Sequence, residues 1–244
     1  MFLLSKSYIC NLYNVKKHIY IYILMINLLF PKVCAACKSL LLTEELLVCT
    51  MCRHSLSVVS NQDFGEPIIK QLFFGKIAIQ NASTLLKFEK RGITQKLLHS
   101  LKYRGKEDLS SFFGKWLGSD LKNSPRYKEV DLVIPVPLDS KRLKKRGYNQ
   151  VEGFGVEIAK ALQIPYLDTI LFKESRAKSQ VFKKRFNRFQ SESVFKVAQP
   201  KLLDKKHILL VDDIITTGAT IEKCAQQLFK SKQVKLSLAT IAIA

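Results

Sequence analysis

The 244-residue sequence predicts an α/β domain, a parallel sheet flanked by helices, preceded by a small four-cysteine module that binds zinc. Three observations carry this. Apolar residues 206–211, a helical pattern over 219–229 and a second apolar run over 234–243 have the order of a βαβ unit, whose strands run parallel. Residues 130–136 form a short apolar run ended by Pro135 and Pro137, as expected of a buried parallel strand. Near the N-terminus, Cys34-x-x-Cys37 and Cys49-x-x-Cys52 stand eleven residues apart.

The elements follow in chain order. Residues 19–30 are apolar behind Lys16, Lys17 and His18, which copies part of a signal peptide, yet the run is too short for a spanning helix and Pro31 ends it. Residues 1–24 are therefore expected to be an upstream extension or apolar segment outside the native fold. No integral membrane span and a cytoplasmic protein are expected. Each C-x-x-C turn can present two thiolates from one knuckle, and two knuckles supply the four soft ligands that tetrahedral zinc prefers. Disulfides and an iron–sulfur centre suit the spacing less well. Four sulfurs close the shell without His54, so Cys34, Cys37, Cys49 and Cys52 make a structural site that folds residues 25–60.

Residues 61–84 lack sustained periodicity and contain Gly65-Glu66-Pro67, so they are expected to link this module to a domain over 85–244. Ile93, Leu97, Leu98 and Leu101 give one helix face between Gly92 and Gly105. Leu109, Phe112, Phe113, Trp116 and Leu117 give another. Residues 151–162 are expected as a helix, and 166–172 and 193–197 as strands. Cys224, inside the last helical pattern, is expected to be an inert buried thiol.

Residues 208–220 combine three devices. Ile208 to Val211 bury a strand, Asp212 and Asp213 emerge at its tip, and a short hydroxyl-rich loop enters a helix. Backbone N–H groups of Thr216, Thr217, Gly218, Ala219 and Thr220, with the helix dipole, can surround a phosphate monoester. The carboxylates suit vicinal ribose hydroxyls or a metal ion that offsets ligand charge. Neither nucleotide-binding glycine motif, G-x-x-x-x-G-K-[ST] or G-x-G-x-x-G, is present here.

The formal net charge is +20, and it is uneven: residues 141–188 hold 13 Lys or Arg against 4 Asp or Glu. Such a balance favours polyanionic partners. Arg142, Lys144, Lys145 and Arg146 follow the first core strand. Gln180, Arg185 and Arg188 belong to a second basic group, interleaved with Phe182, Phe186 and Phe189. Both groups are candidates for pyrophosphate or single-stranded nucleic acid. The phenylalanines, at spacings of four and three, also suit one buried helix face.

Residues 208–220 resemble the phosphoribosyl pyrophosphate signature of type I phosphoribosyltransferases. From about Met25 onward the chain resembles the ComF family of competence and DNA-uptake proteins. The likeness rests on the four cysteines, Leu101-Lys102-Tyr103 with Gly105, Pro135-Val136-Pro137-Leu138, Arg142-Leu143, Arg146-Gly147-Tyr148-Asn149-Gln150, Gln180, Arg185, Arg188 and residues 212–220. It implies a phosphoribosyltransferase-like fold, with Asp212 and Asp213 on the ribose, residues 216–220 around the 5-phosphate, and pyrophosphate near the turn from Pro135. It also implies magnesium with phosphoribosyl pyrophosphate, single-stranded DNA as partner, and a link to DNA-uptake machinery that could bring the protein to the membrane. Active transfer of the phosphoribosyl group to a base or amine is the alternative reading.

Overall fold

The computed structural model describes residues 25, 28–59, 65–103, 105–174 and 194–244. The chain divides into two compact units, Met1–His54 and Ser55–Ala244. Gln180, Arg185 and Arg188, the phenylalanines between them and residues 1–24 lie outside the described residues.

In the first unit, Lys38 takes a left-handed conformation (φ 70°) that turns the chain back after Cys37. The knuckle is closed by Cys34 N donating to Ser39 O at 2.8 Å and Lys38 N to Cys34 O at 3.0 Å. Helix α1, Thr50–His54, carries Cys52. Glu45 fixes its start, accepting from Thr50 Oγ1 at 2.7 Å and from Leu42 N at 2.9 Å. Among the described residues of this unit, the buried apolar ones are Cys34, Ala35, Ala36, Val48, Cys49 and Cys52. Two alanines and one valine offset little of the ordering entropy of this segment, and a metal ion held by the cysteine cluster would add to them.

The second unit is a four-stranded parallel sheet in the order β1-β6-β5-β2. Its strands are β1 (Ala82–Lys87), β2 (Leu132–Pro135), β5 (His207–Ile215) and β6 (Lys235–Ile243). The central pair reads as near-continuous apolar sequence because both faces are covered. Residues 57–59 bond antiparallel to β1, with Val59 N donating to Leu85 O at 3.0 Å, and so protect its outer edge. Strands β3 (Leu171–Glu174) and β4 (Val194–Val197) form a separate antiparallel pair. Tyr166, expected to open a strand, makes only an isolated bridge to Val133.

On one face of the sheet lie α2 (Glu66–Phe73) and α7 (Ala219–Leu228). They pack Ile69, Phe73, Ile221, Cys224 and Leu228 against Ile208, Leu210, Leu236 and Leu238. On the other side lie α3 (Ile93–Tyr103), α4 (Asp108–Asn123) and α6 (Glu152–Leu162). Helices α4 and α6 touch backbone to backbone at Gly114, where a Cβ would meet Phe154 O at 2.6 Å. The expected helical faces are present: Leu97, Leu101, Phe113, Leu117, Phe154 and Ile158 are buried. Phe112 and Trp116 are half-buried and meet edge to face at 6.3 Å.

Two expectations are corrected. Residues 61–84 were expected to link two modules, yet they carry α2 and the start of β1. Gly65-Glu66-Pro67 opens a helix rather than breaking the chain, because proline is suited to the first helical turn. The acidic pair was placed at the strand tip, but β5 continues to Ile215 because β6 pairs with it that far, Asp212 standing opposite Thr240 and Ile215 opposite Ile243.

Candidate functional site

Strand β2 stops pairing at Pro135, opposite Val211, and its last bond to β5 is Val136 N to Val211 O at 2.9 Å. Beyond that point β5 has β6 as its only paired neighbour among the described strands. The sheet opens there, at the carboxyl ends of parallel strands where α/β folds hold their ligands.

Because side chains alternate along a strand, Asp212 and Asp213 point to opposite faces. Asp213 faces α3, and Lys102 Nζ lies 2.8 Å from its Oδ2 in a largely buried ion pair. Asp212 lies on the α2 and α7 face, in register with Thr240, which is in register with Thr84. Both threonine hydroxyls are buried without a hydrogen-bond partner. Burial first, then the Asp213 charge, raises the Asp212 carboxyl well above the ordinary carboxylate range. Asp213 N donates to Asp212 Oδ1 at 2.8 Å. Cys224 is fully buried, and its thiol is pushed up by burial first and by Asp212 second. It is an inert core residue, as expected.

Thr216, Thr217, Ala219 and Thr220 are exposed, whereas Gly218 is buried at the N-cap of α7 with φ 76°. A Cβ there would lie 2.6 Å from Phe73 Cε1, so α2 supports this loop from behind. No side chain caps α7 at Gly218, and the opening N–H groups of a helix have no intrahelical acceptor. Thr217 Oγ1 accepts from Ala219 N at a long 3.5 Å. Gly218→Ala combines backbone strain with that steric clash and is expected to destabilise the protein by about 1–3 kcal/mol. A thermal melt that falls by several degrees checks this, and an unchanged melt would contradict it.

The basic run after β2 is helix α5, Ser140–Arg146, capped by Asp139, whose Oδ1 accepts from Lys141 N at 3.0 Å. Gly147 ends it in the left-handed conformation and donates to Leu143 O at 2.7 Å. Arg142, Lys145 and Arg146 sit at i, i+3 and i+4 and share one face. That face joins Lys102, Tyr103 and Tyr148 in lining a cleft of about 380 Å³. Lys144 does not line it. Tyr148 Oη donates to Leu101 O, and Arg146 donates to Gln150 Oε1, so the walls are fixed. The Arg146 guanidinium lies 5.6 Å from the Tyr103 ring centre.

Of the expected site residues, the structure thus gathers Asp212, Asp213 and the 216–220 loop at one strand end, and Lys102 connects them to Arg142, Lys145 and Arg146. Lys102 was not singled out as a functional residue. Its signal was the block Leu101-Lys102-Tyr103, in which a cation follows a buried leucine on α3.

In the first unit, the Sγ atoms of Cys34, Cys37, Cys49 and Cys52 all lie within 4.8 Å of one another. Cys37 Sγ and Cys49 Sγ are 3.6 Å apart. Four sulfurs at ~2.3 Å from a tetrahedral ion are about 3.8 Å from one another, so the donor set fits a metal such as zinc. Cys49 N donates to Cys34 Sγ at 3.4 Å and Cys52 N to Cys49 Sγ at 3.5 Å, each bond favouring the thiolate of its acceptor, while burial and the neighbouring thiols raise Cys52 and outweigh that bond at Cys49. The Ser39 hydroxyl and backbone lower the Cys37 thiol to about 6. The described cysteines are free of disulfides. No helix among the described residues is long and apolar enough to cross a membrane.

The phosphoribosyl transferase domain model matches residues 152–244, which include β5, the 216–220 loop and β6. The chain is 39% identical over 122 residues to competence protein ComFC of Streptococcus pneumoniae, covering 50% of each chain. It is 26% identical over 212 residues to competence protein ComFC of Bacillus subtilis, covering 86% of this chain and 83% of the relative. The first of these matches thus spans about half the relative's length. Among solved structures, the glutamine phosphoribosylpyrophosphate amidotransferase of B. subtilis is similar at 20% identity and TM-score 0.38, covering 57% of this chain and 30% of that one.

Proposed function

Because the chain belongs to the ComF family within the phosphoribosyltransferase superfamily, we propose that it binds phosphoribosyl pyrophosphate at the end of β5 and handles single-stranded DNA during natural transformation. The observation that carries the reading is Lys102, which lies on Asp213 and also lines the cationic cleft. One side chain thereby joins a carboxylate fit for sugar hydroxyls to a surface fit for phosphate.

The 5-phosphate would sit on the N-terminal turn of α7, among the hydroxyls of Thr216, Thr217 and Thr220. The ribose hydroxyls would meet Asp213, which lies on the Lys102 side, and Asp212, on the opposite face of β5, takes the lesser share of that contact. Asp213 is also the residue that would meet magnesium, which supplies positive charge to offset the pyrophosphate when bound. Arg142 and Arg146 suit phosphate oxygens through their forked donors. The same cations suit the DNA backbone, and the domain's place would be cytoplasmic, beside uptake proteins. Competence proteins among the relatives support this role.

The test is calorimetric titration of the metal-loaded protein with phosphoribosyl pyrophosphate and with a short single strand, separately and in competition. Binding of both is expected, and binding of neither would end the reading. Neutralising Arg142, Lys144, Lys145 and Arg146 together should weaken DNA binding and flatten its salt dependence by about 0.7 in log–log slope for each phosphate that is no longer neutralised. An unchanged affinity and slope would place the DNA elsewhere.

A further inference from the structure

The cleft beside Lys102 contains more than charge. Tyr103 is 67% exposed although it closes a helix whose other face is buried, and its ring forms part of the cleft wall. The ring touches His99, their centres 5.0 Å apart, and otherwise stands among four cations, where it adds little to the core. It is well placed to receive a flat, apolar surface attached to a negative charge.

We propose that the cleft takes one unpaired nucleotide of a single strand, with its base stacked on Tyr103 and its phosphate held by Arg142 and Lys145. The inference rests on the single-stranded DNA reading and names the subsite within it. The cleft volume of about 380 Å³ falls at the small end of the ~300–1,000 Å³ range of ligand cavities. That suits one nucleotide. The Arg146 guanidinium lies over the Tyr103 ring at 5.6 Å, held by Gln150, so it covers part of one face and leaves the exposed remainder of the ring to the base. Tyr148 Oη holds on to Leu101 O, so the opposite wall is anchored to the helix that carries Tyr103.

Two consequences follow from chemistry alone. Stacking tolerates any base, because every base has a π face, so the subsite selects for strandedness rather than sequence. A base inside a duplex is covered above and below by its neighbours and cannot reach the ring without being flipped out, which costs energy.

The test uses the full-length, metal-loaded protein and an oligodeoxynucleotide carrying one fluorescent adenine analogue whose emission is quenched on stacking. Adding the native protein is expected to quench the probe further in the single strand, whereas in a duplex, where neighbouring bases already stack on it, adding protein is expected to leave its emission unchanged. Tyr103→Leu should remove the quenching and weaken single-strand affinity roughly 5- to 150-fold, the range for losing one base–aromatic stack. Tyr103→Phe keeps the ring and should keep both. If the native protein binds and quenches the single strand and Tyr103→Leu does so equally well, the subsite is wrong while the DNA reading survives. If the native protein binds no single strand, both fall.

Discussion

Asp213→Asn is expected to lower affinity for phosphoribosyl pyrophosphate on the order of 100-fold, while Asp212→Asn is expected to raise thermal stability at neutral pH. The difference follows from the opposite faces on which the two carboxylates lie. Asp213 is held against Lys102 at 2.8 Å on the side that opens to the cleft. A carboxylate bonded to two sugar hydroxyls makes charge-assisted contacts of ~1.5–3 kcal/mol each, which an amide reproduces only in part. The loss should be read by calorimetry with the folded fraction checked, and equal affinity would remove Asp213 from the sugar site.

Asp212 has threonines rather than a cation in its own layer, and burial raises its carboxyl. Between the unfolded carboxylate value near ~4 and the raised folded value, the native state binds more protons than the unfolded state. Stability therefore falls as pH rises through that window, and the full penalty applies above the folded value. An asparagine has no charge to bury, so Asp212→Asn should melt higher than the native protein at neutral pH and lose the advantage in acid. A variant that melts lower at neutral pH would show that the charged form is stabilised there.

Removing the metal should have the largest effect on the first unit. A strong chelator, or Cys49→Ser, is expected to unfold residues 28–54 while Ser55–Ala244 stays folded, because the described buried apolar residues of the first unit other than cysteine are Ala35, Ala36 and Val48. Apparent binding energies of structural zinc sites, about 10–16 kcal/mol, exceed anything three such small side chains can supply. Hydrogen exchange by mass spectrometry should show protection abolished over residues 28–54 and kept over β5 and β6. Protection unchanged in both units would mean that the thiols hold the module without an ion.

Much of this arrangement was legible in the sequence, and the failures have physical causes. The C-x-x-C pairs fix their geometry locally, and residues 206–243 declare a βαβ unit through apolar runs buried on two faces. Three features were not legible. Helix α2 is only eight residues long and was hidden by a glycine–proline pair that elsewhere marks a break. Its packing of Phe73 against Gly218 joins distant parts of the chain, which no local period reveals. The strand pattern was read as ending at Val211, where the apolar run stops. Had β5 been followed to Ile215, its two-residue period would have set Asp212 and Asp213 on opposite faces. The Lys102–Asp213 pair joins residues far apart in sequence, so only folding brings it into view.

Helix α5 carries the cations of the cleft, yet none of its residues is buried; an aspartate cap and a closing glycine define its ends. Its charges can be altered by mutation with little effect on the fold. The strength with which this surface grips a polyphosphate chain can therefore drift between lineages while the sheet beneath stays unchanged, which makes α5 a natural place for evolution, or an engineer, to retune affinity.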